Sequence, residues 1–381
     1  MDLHQVKIGV LGGGQLGKML AQSASRLGLH LRILDSDKQF PAGIVCRDFL
    51  EGDFRGFDDV LFFGEGCDVI TIEIEDVNLD ALKILESKGK KIFPQPSVIE
   101  IIKDKSVQKT FYQEHQIPTA EFNIYEGKAE ILNAIESGDI AIPFVQKAAL
   151  GGYDGRGVQV VNCVEELELL MDTKSVIEPK VNIDKELAVI VSRDVDGNMK
   201  SFPMVEMAFD PQANLVNYLF CPSHCTEKQQ NDATVIAENL ASRLGIVGLL
   251  AVEMFLDDDG NILVNEAAPR PHNSGHHTIE ACVTSQYEQH LRAILGLPLG
   301  ETTLKSASVM VNLLGEAGYT GKARYQGFAE CLELSGVYPH IYGKEITKPN
   351  RKMGHVTICD EKLKVALQKA NFIKENLKVI S

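Results

Sequence analysis

The chain has 381 residues, of which 44% are hydrophobic and 24% charged, and its formal net charge at pH 7 is −15. This length predicts two or three globular domains, and an acidic chain without a basic run argues against a nucleic-acid partner. We find no run of about 20 apolar residues that predicts a membrane helix and no signal-peptide pattern. The eight scattered cysteines are typical of reduced thiols, so we expect a cytoplasmic protein that acts on small molecules.

The first hundred residues alternate short apolar strands with helical patterns. This alternation predicts a parallel β-sheet with helices on its faces. Strands are predicted at residues 6–11, 29–34, 68–75 and 91–93, and helices at 16–27, 79–87, 97–103 and 106–115. We place the end of the first domain at residue 104.

A glycine cluster lies between the first strand and the first helix. Residues 12–17 match the pattern G-x-G-x-x-G, and Asp35 follows the next strand as a nicotinamide-binding fingerprint requires. Backbone N–H groups at a helix N-terminus bind any phosphate, however. Three interpretations therefore remain: a dinucleotide, a tight turn without a ligand and, the one we favour, a phosphorylated substrate.

The middle of the chain is rich in strands and closes with a hairpin at residues 248–269. After residue 300 a small region of short strands follows, with a helical pattern at 361–376. The overall expectation is an α/β fold, α+β when all parts are counted. We expect domains at 1–104, 105–300 (with a mobile subdomain at about 118–180) and 301–381.

Lys147 lies in an apolar strand at residues 143–150 and is followed by a glycine-rich loop at 151–157. A buried ammonium group needs an anionic partner, and four glycines with one Arg and one Tyr predict a mobile flap over phosphates. Lys105 is placed to reach the same phosphates from a helix start. A plain hairpin loop and a solvated surface lysine are the alternatives.

An adenine site is predicted where an apolar strand ends at residues 178–181, because the strand end leaves backbone groups for the edge of the base. Glu186 is the candidate acceptor for ribose hydroxyls. An acidic strand end that is merely solvated is the alternative.

The hairpin at residues 248–269 predicts a pair of opposed carboxylates. With Asp259-Gly260 as a two-residue type I′ turn, Glu253 lies directly opposite Glu266. Two carboxylates at this spacing among apolar neighbours repel each other, and Mg²⁺ shared with phosphate oxygens removes the repulsion. An exposed hairpin with ordinary surface acids is the alternative.

Together these segments resemble the ATP-grasp superfamily and, within it, the family of 5-(carboxyamino)imidazole ribonucleotide synthases. The resemblance extends over nearly the whole chain. Its carriers are GGGQLGKM (12–19), TIEIEDV (71–77), DKSVQK (104–109), GGYDGRG (151–157), EPKV (178–181), NEAAPRPHNSGH (265–276), YGKE (342–345) and RKMGHVT (351–357). It implies an ATP-grasp fold between an N-terminal parallel α/β (pre-ATP-grasp) domain and a small C-terminal strand-rich domain.

The resemblance also implies the residues of each site. ATP contacts are Lys105, Lys147, Gly152, Tyr153, Asp154, Gly155, Arg156, Gly157, Val158, Glu178, Pro179, Lys180, Val181, Glu186, Asn265 and Glu266, with Phe209 at the edge of the nucleotide. Aminoimidazole ribonucleotide contacts are Gly14, Gln15, Leu16, Glu73, Tyr153, Arg270, His272, Asn273, Lys344 and Arg351. Glu253 and Glu266 would carry Mg²⁺, in agreement with the hairpin argument. The family likeness suggests a homodimer.

Three positions depart from the family pattern. Phe209 replaces a usual His at the edge of the nucleotide site, so a polar contact is lost there. Ile74 replaces a usual aromatic residue and Asp76 a usual Asn. The change at residue 209 puts nucleotide affinity in doubt, and the other two leave the residues of the reaction untouched.

The implied reaction is ATP- and bicarbonate-dependent carboxylation of the aminoimidazole amine through carboxyphosphate, with release of ADP and phosphate. Lys147, Arg270 and Mg²⁺ would neutralise charge on the transferred phosphoryl group, and His272 would handle the amine proton. We expect Arg270, His272, Lys147 and Tyr153 to be the catalytic residues. A purely structural hydrogen bond is the alternative for His272.

Three other functions remain open at this point. A formate-dependent glycinamide ribonucleotide transformylase, or another ATP-grasp ligase, shares the same machinery. An NAD-dependent dehydrogenase would use residues 12–17 and Asp35. A zinc protein would use Cys221, His224 and Cys225 with His276 or His277, although that spacing is not a standard finger.

Overall fold

The N-terminal region forms a five-stranded parallel sheet. The computed structural model of the chain describes residues 5–152, 157–210 and 215–381, except for the side chains of residues 209, 210 and 215. Within those ranges, no helix is both long and apolar enough to cross a membrane. The strands are β1 (Lys7–Leu11), β2 (His30–Asp35), β3 (Asp48–Glu51), β4 (Val69–Ile72) and β5 (Lys91–Ile92), and the helices are α1 (Gln15–Arg26), α2 (Phe57–Glu65), α3 (Leu79–Ser87) and α4 (Pro96–Lys103).

The strand order of this sheet is β3-β2-β1-β4-β5, with every pair parallel. All four residues of β4 are buried, as expected for a parallel strand covered on both faces. From β1 the strands β2 and β3 are added on one side of the sheet, and β4 and β5 are then added on the other side. The carboxyl ends of β1 and β4 therefore flank the point where the strand order reverses. In open α/β sheets ligands bind at this point.

The middle region contains a small antiparallel sheet and most of a large one. Its strands are β6 (Asn123–Tyr125), β7 (Phe144–Ala148), β8 (Val158–Val161), β9 (Ser175–Pro179), β10 (Ile183–Arg193), β11 (Met199–Ser201), β12 (Val205–Asp210), β13 (Leu215–Cys221), β14 (Gly248–Asp257) and β15 (Ile262–Ala268). Its helices are α5 (Lys105–Glu114), α6 (Lys128–Ser137), α7 (Glu227–Leu244), α8 (Thr278–Ala281) and α9 (Gln286–Leu295), with 3-10 turns at Val164–Leu169 and Asn273–Gly275. The small sheet has the order β6-β9-β7-β8 and packs on α6 through Ile131, Phe144 and Ile177.

The C-terminal region continues the large sheet. Its strands are β16 (Ala307–Leu314), β17 (Gly321–Lys322), β18 (Arg324–Gln326), β19 (Val337–Ile341), β20 (Ile346–Thr347), β21 (Lys352–Asp360) and β22 (Lys378–Ile380), with helices α10 (Phe328–Leu332) and α11 (Leu363–Asn376). The ladder runs β15-β14-β10-β12-β13-β16-β21-β19, and β11 pairs with β10. The strands before and after residue 300 therefore share one hydrogen-bonded sheet.

Helix α9 holds the N-terminal sheet against the middle region. Leu291 and Ile294 of α9 lie in one hydrophobic cluster with Leu20 and Ile33, and all four are at most 1% exposed. Burial of such side chains stabilises a fold by about 1.5–3 kcal/mol each. This packing fixes the carboxyl ends of β1 and β4 close to the segment that follows β15.

The turn between β14 and β15 differs from the predicted one. The backbone carbonyl of Asp257 accepts from the N–H of Gly260, and the backbone N–H of Asp257 donates to the carbonyl of Asn261. The loop therefore contains three residues, and Gly260 has φ +84°. Such a loop consists of a type I turn followed by a residue in the left-handed conformation, which glycine adopts without strain. A bulge at Asn265 then shifts the ladder by one residue, and Glu253 pairs with Glu266 as expected. The pairing is confirmed, whereas the two-residue type I′ turn is wrong.

Candidate active site

Backbone N–H groups of the glycine cluster after β1 form hydrogen bonds with carboxylates of the protein itself. The N–H of Gly13 donates to Asp35 at 2.6 Å, and the N–H groups of Gly14 and Gly17 donate to the carboxylate of Glu73, which follows β4. Burial raises the pKa of Glu73. Asp35 is only 6% exposed, so its carboxylate supports the glycine turn instead of facing a ribose. The substrate candidates Gly14 and Glu73 are thus in direct contact.

Arg270 joins the segment after β15 to the N-terminal sheet. Its Nε lies 2.9 Å from a carboxylate oxygen of Glu75, and both side chains are about four-fifths buried. The positive charge of Arg270 also acts on Glu73, where it favours the ionised form. Gln15 and Leu16 begin helix α1 immediately beyond the glycines. The structure therefore brings the predicted substrate residues of the first domain to Arg270.

Three lysines and the carboxylate of Glu266 line one cavity between α5, β7, β9 and β15, and the carboxylate of Glu178 contacts two of these lysines. Lys105 lies 2.6 Å from Glu266, and Lys147 lies 2.7 Å from Glu178. Although burial opposes ionisation, these contacts raise the pKa of Lys105 and lower the pKa of Glu178. Lys109, the third lysine, is 3% exposed and contacts the other oxygen of Glu178. The cavity is built for a polyanion.

The bulge on β15 turns the side chains of two consecutive residues, Asn265 and Glu266, toward the same lysine cavity. Lys147 donates to the Oδ1 of Asn265 at 2.7 Å, and the next residue, Glu266, pairs with Lys105. Adjacent residues of a regular strand point to opposite faces. Because Asn265 is the extra residue of the bulge, its amide and the carboxylate of Glu266 both reach the lysine cavity. Bulges are frequent beside active sites for this reason.

Glu253 is a carboxylate of the site whose pKa is strongly raised. It pairs with Glu266 on β15 and with Ala188 on β10, and its side chain is 16% exposed. Burial, the charge of Glu266 and that of Glu186 raise the pKa of Glu253 to about 8. Burial alone raises the pKa of Glu186 to about 7. Acting against burial, Lys105 and Lys147 lower the pKa of Glu266.

His272 lies beside this carboxylate pair. Its Nδ1 is 3.0 Å from the hydroxyl of Ser274 and 3.7 Å from an oxygen of Glu253. Its backbone N–H donates to Gln286 at 2.9 Å. The neighbouring Asn273 exchanges amide hydrogen bonds with Asn312 of β16. The loop after β15 is thus fixed to both α9 and the C-terminal strands.

The C-terminal basic residues lie on a segment that packs against the first domain. Lys18 of α1 donates to the carbonyl oxygens of Ile341 and Tyr342. Lys344, two residues after Tyr342, donates to the carbonyl of Lys352 at 2.8 Å. Arg351 donates to the carbonyl of Ile346. The described contacts thus anchor Lys344 and Arg351 through backbone carbonyls of their own region.

Part of the predicted glycine flap lies outside the described residues. Tyr153, Asp154, Gly155 and Arg156 belong to this part. The side chain of Phe209, on β12, likewise lies outside the described residues. Gly157 has φ +72°, and a Cβ added there would be 3.2 Å from the Cα of Gly152. Gly152 and Gly157, followed by Val158, therefore form a narrow base of the loop next to Lys147.

The predicted adenine segment has its first residues in strand β9. Glu178 faces the lysine cavity, whereas Pro179 pairs with Phe144 of β7. The N–H of Lys180 donates to Pro143 at 3.2 Å, and its ammonium donates to Asn162. Val181 follows just before β10, the strand that carries Glu186. The segment thus connects the cavity to Glu186.

The zinc hypothesis finds no support in this geometry. Cys221 donates to the carbonyl of Met204, and the backbone N–H of His224 donates to the carboxylate of Glu206. In the described part of the chain, no group of three or more His, Cys, Asp or Glu residues is arranged to hold a metal ion.

Two residues of the site were missed by the sequence argument. Lys109 lies one helical turn after Lys105. Its i, i+4 spacing from Lys105 on the predicted helix is the signal from which it could have been found. Lys352 lowers the pKa of Glu253 through its charge, although burial raises that pKa overall. Its place next to Arg351 in the motif RKMGHVT was the available signal.

Three imidazole rings stack between the loop after β15 and the C-terminal strands. His355 lies 4.6 Å from His276 and 4.4 Å from His340, measured between ring centroids. Nδ1 of His355 and the hydroxyl of Tyr342 are 3.0 Å apart. Burial lowers the pKa of His276 and of His355 well below the ordinary value. Both rings are therefore neutral at physiological pH.

Three family models match the chain in succession. A ribonucleotide synthetase preATP-grasp domain matches residues 5–103, an ATP-grasp domain matches residues 110–287, and a phosphoribosylaminoimidazole carboxylase C-terminal domain matches residues 308–369. The parallel N-terminal sheet, the middle region and the C-terminal strands thus correspond to the expected three-part fold.

Curated relatives cover nearly all of this chain. The N5-carboxyaminoimidazole ribonucleotide synthase of Bacillus subtilis is 38% identical over 359 residues, which is 93% of this chain and 91% of that protein. The phosphoribosylaminoimidazole carboxylases of Ogataea methanolica and Saccharomyces cerevisiae are each 37% identical over 96% of this chain. The chain spans about two thirds of the length of these fungal relatives, 69% and 66% respectively.

Solved structures show the same fold. The N5-carboxyaminoimidazole ribonucleotide synthetase of Thermotoga maritima superimposes with a TM-score of 0.91 at 42% identity, covering 99% of this chain and 100% of that one. The synthase of Aspergillus clavatus, in complex with ADP and 5-aminoimidazole ribonucleotide, gives a TM-score of 0.89 at 32% identity, with 98% of each chain covered.

Proposed function

The chain belongs to the N5-carboxyaminoimidazole ribonucleotide synthase family of ATP-dependent ligases, and on this basis we propose that it carboxylates 5-aminoimidazole ribonucleotide in purine biosynthesis. The products are 5-carboxyaminoimidazole ribonucleotide, ADP and phosphate, and the carboxyl donor is bicarbonate. Relatives in complex with ATP, and with ADP and aminoimidazole ribonucleotide, support ATP and this ribonucleotide as the substrates.

One observation carries the proposal most directly. The short segment 265–273 contributes Asn265 and Glu266 to the lysine cavity, and Arg270 to the carboxyl end of β4. A nucleotide in the cavity and a ribonucleotide beside Glu73 and Arg270 would therefore meet along a single stretch of backbone. A site for passing an activated group between two substrates needs this proximity.

The first step forms carboxyphosphate. An oxygen of bicarbonate attacks the γ-phosphorus of ATP, the new P–O bond forms and the bond to the ADP oxygen breaks. Lys147 and Arg270 neutralise the charge that spreads over the transferred phosphoryl group. Water has to be kept out of the site while carboxyphosphate is present, because water would hydrolyse this intermediate.

The second step transfers the carboxyl group. The C–O bond of carboxyphosphate breaks to give CO₂ and phosphate, and the exocyclic amine attacks the carbon of CO₂. The amine gives up one proton as the N–C bond forms. His272 accepts it, since its ring lies in the segment that joins the two substrate sites and an imidazole is a suitable base near neutral pH.

The paired carboxylates suit a hard divalent cation. Glu253 and Glu266 are opposed, and Glu253 carries a pKa raised to about 8 by burial and by neighbouring acids. Carboxylate oxygens on a rigid hairpin, together with phosphate oxygens, are what Mg²⁺ prefers. We propose that Glu253 and Glu266 hold Mg²⁺, which would supply positive charge to the phosphates of ATP.

Further proposals concern the organisation of the chain. We propose domain boundaries after residues 104 and 300, and that the part at about 118–180 moves as a unit because it has its own hydrophobic cluster around Ile131 and Phe144. All eight cysteines are free thiols, which supports a reducing cytoplasmic compartment. A homodimer is proposed from the family resemblance, and sedimentation measurements test it.

Omission of each substrate in turn tests the function. ADP release should require ATP, bicarbonate and aminoimidazole ribonucleotide together, and formate with glycinamide ribonucleotide should not replace the latter two. ADP release that ignores bicarbonate, or that responds to formate, would overturn the proposal.

A further inference from the structure

Lys109 is the most buried of the three lysines of the proposed nucleotide cavity, and it contacts a carboxylate that is already paired with Lys147. Helix α5 begins at Lys105, whose position is set by Asp104, the N-cap residue that accepts from the N–H groups of Ser106 and Val107. One turn later, Lys109 is on the same face of α5. Its ammonium contacts the hydroxyl of Thr119 and one oxygen of Glu178, and it is 3% exposed.

Glu178 is shared between two lysines. One carboxylate oxygen lies 2.5 Å from Lys109 and the other 2.7 Å from Lys147. Because Glu178 is itself 3% exposed, a buried carboxylate that lost both partners would be strongly destabilising. Lys147 therefore cannot leave Glu178 unless another cation stays with it.

Lys147 has to turn toward a ligand if it contacts phosphates. Its ammonium is held by Glu178 and by Asn265, both at 2.7 Å, so a phosphate oxygen competes with these two acceptors. Lys109 lowers the free-energy cost of moving Lys147 from Glu178 to a phosphate, since the carboxylate of Glu178 keeps one positively charged partner.

We propose that Lys109 is a positioning residue for nucleotide binding: it retains the Glu178 carboxylate and so releases Lys147 to the phosphates of ATP. Lys109 acts through Glu178 and does not itself touch the nucleotide. The inference rests on the proposed function, because it takes Lys147 to be a phosphate ligand.

The decisive variant is Lys109→Met. Methionine keeps much of the length and apolar volume of lysine and packs against the ring of Phe122, which lies 5.9 Å from the Lys109 ammonium. In this variant Glu178 has only Lys147, so nucleotide binding should leave a buried charge unpaired. We expect the Kd of ATP, measured by calorimetry with Mg²⁺ present, to rise about 30-fold, equivalent to about 2 kcal/mol.

A second-site change separates positioning from direct contact. In Lys109→Met/Glu178→Gln the buried carboxylate is gone, and Lys147 no longer has a charged competitor. The reference is Glu178→Gln alone, and we expect the Kd of ATP in the double variant to lie within about threefold of that single variant, about 0.7 kcal/mol. A double variant that binds ATP much more weakly than Glu178→Gln would overturn the proposal, since it would make Lys109 a direct ligand.

Controls keep the outcome interpretable. Lys83→Met removes an exposed lysine that is paired with Glu100, and it should leave the Kd of ATP unchanged. If Lys109→Met does not fold, Lys109→Gln provides the same test, because it removes the charge while keeping a donor toward Thr119. A folded Lys109 variant with an unchanged Kd of ATP would also refute the inference.

The split between kinetic constants adds an independent readout. The KM of ATP should rise in Lys109→Met, whereas the KM of aminoimidazole ribonucleotide should stay unchanged; equal changes in both would contradict a role at the nucleotide. Failure of the proposed function would look different: ATP would still bind in the expected order of affinities, but its turnover would not depend on bicarbonate.

Discussion

Glu253 and Glu266 lie directly opposite each other on β14 and β15, and Lys105 contacts only the second of them among the described residues. Burial and the charge of Glu266 raise the pKa of Glu253 from 4.5 to about 8. The metal-free native protein therefore holds a proton on Glu253 that the unfolded chain has already released. This contribution to stability is complete below pH 4.5 and is lost as the pH rises to about 8.

Replacement of Glu253 by Gln should stabilise the metal-free protein and inactivate the enzyme. At pH 8 we expect the free energy of unfolding to increase on the order of 2 kcal/mol, because a buried like-charge contact is removed. ATP turnover should fall at least about 100-fold, since one proposed Mg²⁺ ligand is lost. Urea denaturation at several pH values and ADP release measure the two effects.

Glu375→Gln is the matched control for this variant, because Glu375 is exposed on α11. It should change neither quantity. If Glu253→Gln lost stability at pH 8 in the absence of metal, the repulsion between the two carboxylates would be refuted.

Arg270→Ala should abolish bicarbonate-dependent ATP turnover in a folded protein. The guanidinium is paired with Glu75 at 2.9 Å and is the proposed charge stabiliser of the phosphoryl transfer. A loss of at least about 100-fold, roughly 2.7 kcal/mol, is expected for such a group. Arg55→Ala, which removes an exposed arginine paired with Asp76, should be fully active. Unchanged turnover in Arg270→Ala would remove this residue from the mechanism.

Asn265→Asp should weaken ATP binding without unfolding the protein. The new carboxylate would form an ion pair with Lys147, now 2.7 Å from the Asn265 amide oxygen, and would repel the phosphates. We expect the Kd of ATP to rise about 10- to 100-fold. Asn123→Asp, at an exposed position on β6, is the control. Calorimetry decides, and tighter binding in Asn265→Asp would contradict the placement of phosphates beside Lys147.

Acid should destabilise the protein through its buried neutral histidines. Burial lowers the pKa of His290 to about 3 and that of His277 to about 4. The unfolded chain binds protons at these rings below pH 6.5 and the native state does not, so stability is lost as the pH falls from about 6.5 toward 4. His290→Gln should reduce the slope of unfolding free energy against pH by about one proton between pH 6 and 5.

His30→Gln is the control for the acid experiment, because His30 is exposed on β2. Its slope should match that of the original protein. Glu253 acts in the opposite direction over part of this range, so the difference between each variant and the original protein is the quantity to compare. An unchanged slope in His290→Gln would show that this ring does not remain neutral in the native state.

Local signals in the sequence identified most of the elements and the opposed carboxylates of Glu253 and Glu266. Apolar runs with flanking turns marked β1, β2, β4 and β5 of the first domain, whereas β3 and α2 were not predicted. The Thr226 capping box and Gly245 bound α7 as the helical pattern indicated. The opposition of Glu253 and Glu266 was predicted although the turn was wrong. A longer turn and the bulge at Asn265 each shift the register by one residue, and the two shifts cancel.

Contacts between distant segments were beyond a single sequence. The partner of Lys109 is Glu178, which is separated from it by α6 and the three strands β6, β7 and β8, so the apolar pattern around either residue does not show the pair. In the same way, no local pattern reveals that β16 joins β13. Such pairings depend on which segments reach each other once the whole chain has collapsed.

The shared sheet has a consequence for anyone who divides this protein. Four consecutive residues of β13, from Tyr218 to Cys221, pair with β16 in the sheet. A fragment that stops near residue 300 would therefore leave the backbone hydrogen-bonding groups of this edge of β13 unpaired. Edges of this kind recruit other chains and cause aggregation. The catalytic half is therefore not a detachable module, and split-protein or truncation strategies should keep the last eighty or so residues as its permanent scaffold.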